Sequence, residues 1–386
     1  MFFVLLATLS ALYWVVAWLS VRAFFRAPRS YPADFTPPVS VLKPIRGLDP
    51  GLYENLVSFC HQDYPEYEIL CGVLEADDPG VALVHRLQQA FPERGIRLVK
   101  AYPVGANRKA SILQALAAEA RYPILVASDS DMRVTPDYLR RVVAPLADPR
   151  VGIVTSLCRG SMAENTGAVM EALELGACFA PPALMGLYLL RMAYGFGASI
   201  ALRREDLEQV GGFAAVADYL ADDFQIAARV AALGRQVVLS DYVVDNVLGR
   251  MPLREVYERH VRWLRCARVS RPREYIPMAI TLTLPLALLA LFFTGFSPLG
   301  WLAFLGSLLI REGTAWLIAG HTGDQVVRRH LLWLPLSDLL HALYWAVALV
   351  GRRVTWRGDV YLVERDGRMI PVAPDVGHFP ANPHAG

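Results

Sequence analysis

Apolar residues fall into two patterns along this chain: long uncharged blocks near the ends, and short apolar runs alternating with helical spacing between them. Phe2 to Val21 carries no charge. As a helix that stretch spans about 30 Å, one hydrocarbon core. Arg22, Arg26 and Arg29 follow at once and predict a cytoplasmic flank. No basic residue precedes the block and no small-residue cleavage site follows it, so a retained anchor over 1–21 is expected rather than a signal peptide. Tyr275 to Ile310 is uncharged again and too long for one span. The Gly295-Phe296-Ser297-Pro298 stretch predicts a break and a hairpin of helices over 276–294 and 299–319. Another apolar segment covers 331–350, with Arg328 and Arg329 before it and Arg352, Arg353 and Arg357 beyond it. Four spans put both termini outside, whereas the last arginines prefer the inside. An interfacial Leu331–Leu340 would reconcile the two. Arg311 and Asp338 stand at lipid depth, where they either pair with each other or snorkel from span ends.

Between these blocks, residues 30–275 read as one globular domain. Val39–Leu42, Tyr67–Leu74, Ile96–Ala101 and Pro123–Ser128 predict strands. Leu52–Cys60, 79–91, Lys109–Ala120 and 223–233 predict helices. Such alternation implies βαβ units around a mostly parallel sheet, with ligands beyond the carboxyl ends of the strands. Ala172–Leu190, uncharged after Glu174 and holding Pro181-Pro182, fits an interfacial segment lining a lipid entrance or a buried core helix. The expected division is therefore an anchor (1–21), a cytoplasmic domain (30–275), transmembrane or interfacial helices (276–350), and a tail (351–386) that is partly disordered, above all over Pro371–Gly386.

Composition sharpens this picture. Hydrophobic residues are 54% and charged residues 19% of 386, against about 25% charged in soluble domains. That excludes a disordered chain, a coiled coil and an ordinary soluble enzyme. A net charge of +2 gives no basic surplus for nucleic acid. Cys60, Cys71, Cys158, Cys178 and Cys266 form no C-x-x-C pair and read as free thiols in a reducing compartment.

The predicted strand ends hold the candidate chemistry. The second strand runs into Glu75-Ala76-Asp77-Asp78-Pro79, and the fourth into Asp129-Ser130-Asp131. Two carboxylates one residue apart suit a divalent ion with open positions for a diphosphate, or simply a turn. Asp222-Asp223 opens a helix, either as chemistry or as a favourable helix start. Arg259 and Arg262 lie i, i+3 on one helical face beside Trp263. That arrangement suits a diphosphate and a sugar, or a plain basic flank before the membrane block. No P-loop, G-x-G-x-x-G or H-E-x-x-H is present, and Gly195-Phe196-Gly197 lacks the third glycine of a cofactor box.

Taken together, Val41–Pro50, Asp63–Glu68, Asp77-Asp78-Pro79, Gly105–Lys109, Asp129-Ser130-Asp131, Ala221–Phe224, Arg259–Trp263 and Val354–Asp359 resemble the inverting, GT-A-fold lipid glycosyltransferases of the ceramide glucosyltransferase type. Within that group the chain is similar to the bacterial hopanoid-biosynthesis glycosyltransferases. The resemblance covers roughly residues 1–365. It implies an α/β GT-A domain with N- and C-terminal transmembrane helices, in an integral membrane protein of a bacterial inner membrane. It implies Asp78, Lys109, Asp129 and Arg262 at the donor, and Asp129 and Asp131 on Mg²⁺ or Mn²⁺. It further implies Asp223 as general base and Trp263 at the acceptor. The partners implied are a UDP-sugar (glucose or N-acetylglucosamine), the bilayer and a lipid alcohol of hopanoid or ceramide type. Phe179 stands where eukaryotic ceramide enzymes carry a histidine, which turns the expected acceptor toward another membrane lipid. A polysaccharide synthase shares the acids and the R-x-x-R-W motif, but three C-terminal segments are few for a channel. A non-catalytic membrane scaffold is the other alternative.

Overall fold

The computed structural model describes residues 1–32 and 34–372. Its strands, in chain order, are β1 (Val39–Pro44), β2 (Tyr67–Val73), β3 (Gly95–Lys100), β4 (Ile124–Ser128), β5 (Met132–Arg133), β6 (Val151–Thr155) and β7 (Cys158–Ala163). They continue with β8 (Ser199–Arg203), β9 (Gln236–Leu239), β10 (Val244–Gly249), β11 (Arg353–Trp356), β12 (Asp359–Val363) and β13 (Met369–Pro371). The main sheet runs β3-β2-β1-β4-β8-β6-β9, with β8 alone antiparallel to its neighbours. The mostly parallel sheet expected from the alternation is thus present, and β1, β4 and β6 are buried along their whole length, as strands covered on both faces must be. A smaller sheet, β5-β10-β7, stands beside it.

Since β1, β2 and β4 are parallel, their carboxyl ends share one edge. From β1 issues the Ile45–Asp49 loop, and from β4 the Asp129-Ser130-Asp131 turn. Helix Arg108–Glu119 starts near the same edge, capped by Asn107, whose side chain accepts from the Ala110 N–H at 3.0 Å.

Among the described residues, four helices are long and apolar enough to cross a membrane: Phe2–Arg26, Thr166–Tyr188, Pro298–Thr322 and Leu331–Ala348. Thr166–Tyr188 is mostly buried within the protein, which matches the core-helix alternative for Ala172–Leu190. Over Glu174–Phe179 it widens into a π-helical stretch, a form that recurs at functional sites.

The expected single helix over 276–294 is broken. A 3₁₀ turn, Pro277–Thr281, meets helix Thr283–Phe293 at a 64° bend. Pro285 explains the break, because a proline ring clashes with the carbonyl four residues back, here that of Thr281. The Thr281 carbonyl instead accepts from the Trp14 indole at 3.2 Å, and the Thr283 hydroxyl bonds the Ser10 hydroxyl at 2.6 Å. The remaining 11-residue helix is about 16 Å long, half a hydrocarbon core. The predicted turn at 295–298 is present, with Gly295 at φ +63° and Ser297 accepting from Gly300.

Arg311 and Asp338 pair rather than snorkel. Nη2 and Nε of Arg311 donate to the two carboxylate oxygens at 2.7 and 3.1 Å, and the guanidinium lies 3.8 Å from the Trp14 ring. The tail also differs from expectation. Residues 353–371 form an antiparallel sheet, β11-β12-β13, while 373–386, the rest of the expected disordered stretch, lie outside the described residues.

Candidate active site

The carboxyl edge of the main sheet opens into a cavity of about 1120 Å³. Six of the seven residues singled out from the sequence line it: Lys109, Asp129, Asp131, Asp223, Arg262 and Trp263. Local folding explains each placement. Asp129 and Asp131 sit on the turn leaving β4. Lys109 is in the first turn of its helix, and its ammonium pairs with Asp129 and donates to the Gly197 carbonyl at 3.3 Å. Burial works against the lysine's charge, but Asp129 and Asp222 outweigh it and hold its pKa above the usual value.

Asp223 lies in the first turn of helix Asp222–Ala232. Its carboxylate accepts from the Gly197 N–H at 2.8 Å and from its neighbour Phe224 at 2.7 Å. A side chain on Gly197 would place its Cβ 2.7 Å from Lys109 Nζ, 3.4 Å from Asp223 Oδ2 and 3.9 Å from Asp129 Oδ2. Gly197 is therefore where both carboxylates and the lysine meet, and a side chain there would have to displace the Lys109 ammonium. Burial, with Asp222 alongside, pushes Asp223 up to about 6. Burial likewise pushes Asp131 to about 6, helped by Asp49 and Asp129. Asp131 accepts from the Asn246 amide at 3.1 Å.

Arg259, Arg262 and Trp263 belong to helix Leu253–Ser270 and face the cavity, so they are not merely a basic flank. Burial lowers Arg262 to about 10, still charged at neutral pH, and its guanidinium sits 5.0 Å from the Trp356 ring. Arg259 donates to Glu171 at 3.2 Å, and His260 pairs with the same carboxylate at 2.8 Å. Trp263 packs against Phe179, ring centres 5.8 Å apart. Apolar side chains continue the wall: Leu175 and Met185 of the long buried helix, Met278 and Ile280 at the helix break, and Tyr13 of the first helix.

Asp78 is placed differently. Its buried carboxylate accepts from the Gly47 and Gly80 N–H groups, both at 2.8 Å, and braces the 45–49 loop from behind rather than lining the cavity.

Several site residues escaped sequence reasoning. Lys43 is fully buried, donates to the Asp129 carbonyl at 2.5 Å, and is lowered to about 8 by burial. Asp49 and Arg357 reach the cavity as an ion pair, and Gly197 lies in a Gly-Phe-Gly dismissed as a cofactor box. Asp49 and Arg357 did fall inside matched stretches, which was the available signal. Nothing local distinguishes them from surface charges.

The acid turn fits a divalent cation. Asp131 carries no ion pair among the described residues, and three carboxylates, Asp49, Asp129 and Asp131, raise the charge cost of that corner.

Known proteins are similar to this chain in sequence and in fold. Ceramide glucosyltransferase 1 of Caenorhabditis elegans is 26% identical over 236 residues, 61% of this chain and 50% of that protein. Ceramide glucosyltransferase 3 of the same organism is 24% identical over 349 residues, 87% of this chain and 74% of that one. The match thus spans about half the length of the first relative and three quarters of the second. In fold, the chain is similar to a mannosyltransferase from Pyrobaculum calidifontis solved with GDP-Man and Mn²⁺. Its TM-score is 0.53 and its identity 20%, over 90% of this chain and 97% of that one. The α/β domain is accordingly a GT-A fold. With the description "Glycosyl transferase family 21" matched over residues 2–369, the chain belongs to glycosyl transferase family 21.

Proposed function

We propose that this protein transfers a hexose from a UDP-sugar to the hydroxyl of a membrane lipid, in one in-line step that inverts the anomeric centre. The observation that carries the reading is that Asp129, Asp131, Asp223 and Arg262 border one cavity whose wall continues into apolar side chains of the helices. In this reading Asp223 takes the acceptor hydroxyl proton. Its pKa of about 6 leaves it ionised and still basic at neutral pH. Gly197 N–H aims its carboxylate, and the lack of a side chain there lets the reacting atoms approach. Arg262 and Lys109 carry the charge of the departing diphosphate. Asp129 and Asp131 would hold Mg²⁺ or Mn²⁺, which when bound neutralises that diphosphate. Asp78 serves the donor indirectly, through the 45–49 loop it braces.

The acceptor is a lipid alcohol of ceramide or hopanoid type. The apolar wall supports a lipid, and the two relatives named above are ceramide glucosyltransferases. Trp263 stacks at the acceptor end beside Phe179. The catalytic domain lies on the cytoplasmic side, following the arginines after the first helix. The test is to incubate membranes holding the protein with labelled UDP-glucose and UDP-N-acetylglucosamine and to weigh the extracted lipids. One added hexose on a lipid is expected. Long polymers, or UDP-sugar binding with no lipid product, would sink the reading.

A further inference from the structure

The sheet β11-β12-β13 follows the last apolar helix, yet it touches all three segments that carry the site. At the β11–β12 turn, Arg357 Nη2 donates to both oxygens of Asp49, at 2.9 and 3.0 Å, while Nη1 donates to the Arg46 carbonyl at 2.8 Å. Asp49 also accepts from the Ser130 hydroxyl at 2.5 Å, and Ser130 is the residue between Asp129 and Asp131. Arg357 adopts a left-handed backbone, φ +48°, which a non-glycine residue holds only where its surroundings enforce it. Its neighbour Trp356 lies against Arg262.

A second anchor reaches the Asp223 helix. The Met369 N–H donates to the Asp218 carbonyl at 2.7 Å, and the Leu220 N–H donates to the Gly367 carbonyl at 3.1 Å. Val354, Tyr361, Val363 and Met369 bury Leu220 just ahead of Asp222. A third anchor is the R-x-x-R-W helix itself, where Arg265 donates to the Arg353 carbonyl of β11 and Cys266 and Val269 pack against the apolar side chains of the sheet.

We propose that this C-terminal sheet is a donor-side clasp and that Arg357 is a positioning residue. Through Asp49 and Ser130 it holds the Asp129-Ser130-Asp131 turn in the arrangement that takes a nucleoside diphosphate with its divalent ion. The proposal rests on the function given above. The turn, the Asp223 helix and the Arg262 helix come from distant parts of the chain, and one sheet fastened to all three restricts their relative motion. Nη1 on the Arg46 carbonyl and Nη2 on the Asp49 carboxylate belong to one planar guanidinium, so Arg357 fixes the orientation of the loop as well as its charge. Without Arg357, no ion pair among the described residues holds Asp49 in place, and the Ser130 hydroxyl loses its fixed acceptor.

The test uses the full chain in detergent micelles or nanodiscs. Free Mn²⁺ is followed by electron paramagnetic resonance and UDP affinity by calorimetry. Arg357→Ala is expected to weaken Mn²⁺ and UDP binding about 10–100-fold, the range found for groups that support metal ligands from behind. The acceptor KM should stay unchanged. Arg357→Lys should recover only part of the binding, because a single ammonium nitrogen cannot hold the Arg46 carbonyl and the Asp49 carboxylate from two fixed positions. Asp49→Asn should weaken binding similarly, and the double variant should be no worse than either, because the two act as one unit. If Arg357→Ala fails to fold, Asp49→Asn decides alone. Wild-type binding of Mn²⁺ and UDP by either variant, or a change confined to the acceptor KM, overturns the clasp. A wild-type protein that binds no UDP overturns the function proposed above.

Discussion

Two sets of carboxylates in this protein are treated in opposite ways. Among the helices, Glu171 is met by Arg259 and His260, Glu174 by His341 at 2.7 Å and Ser337 at 3.0 Å, and Asp338 by Arg311 through two bonds. Burial alone would discharge His260, yet Glu171 beside it keeps its pKa above the usual histidine value. At the carboxyl edge of the sheet, Asp131 receives one amide and Asp223, at its helix start, two backbone N–H groups, and neither has an ion pair among the described residues. Burial, with neighbouring carboxylates alongside, holds both pKa values near 6. The three paired acids named here join helices, whereas Asp131 and Asp223, short of partners beside the cavity, are poised for a ligand.

The sharpest way to break this contrast is to remove the ion the strand-end acids are expected to hold. EDTA should abolish lipid glycosylation, and added Mg²⁺ or Mn²⁺ should restore it. Transfer that survives thorough chelation would show the acid corner works bare. Next in size is Asp223→Asn, which should lower turnover about 10²–10⁴-fold while UDP binding persists. Near-normal turnover would remove Asp223 from the role of base.

The helix-bound acids should answer in stability instead. Arg311→Ala leaves Asp338 charged and unpaired, and should cost about 3–5 kcal/mol, read as a lower midpoint of thermal unfolding in micelles. An unchanged midpoint would mean the pair contributes no net stability. The smallest effect is on pH. Asp223, raised to about 6, is protonated and idle below that value. Turnover should therefore be half-maximal near pH 6 and fall toward about tenfold per unit well below it. A flat profile from pH 7 to 5 would contradict the raised value.

Much of the fold was legible because its signals are local. Leu52–Cys60 was read to the residue, and β2, β3 and β4 to within one residue at either end; β2 and β4 were plain because buried parallel strands are continuous apolar runs. The strand-end acids were legible for the same reason, once the strands were placed. The 64° bend was not read, although Pro285 was in view, because the hydropathy of 276–294 is uniform across it. Strands β11 to β13 were missed because they are only three to five residues long. Their apolar positions make sense only against Leu220, more than a hundred residues earlier.

Read alone, the sequence determined which elements form and which residue types stand at their ends, because propensity, period and caps act over a few neighbours. It also determined that part of the chain belongs in lipid. Tertiary structure decided which charges complete one another. Arg357 meets Asp49 across 308 positions, and Gly197 meets Asp223 across 26. Pairing energies depend on distance and burial in space, and chain order encodes neither.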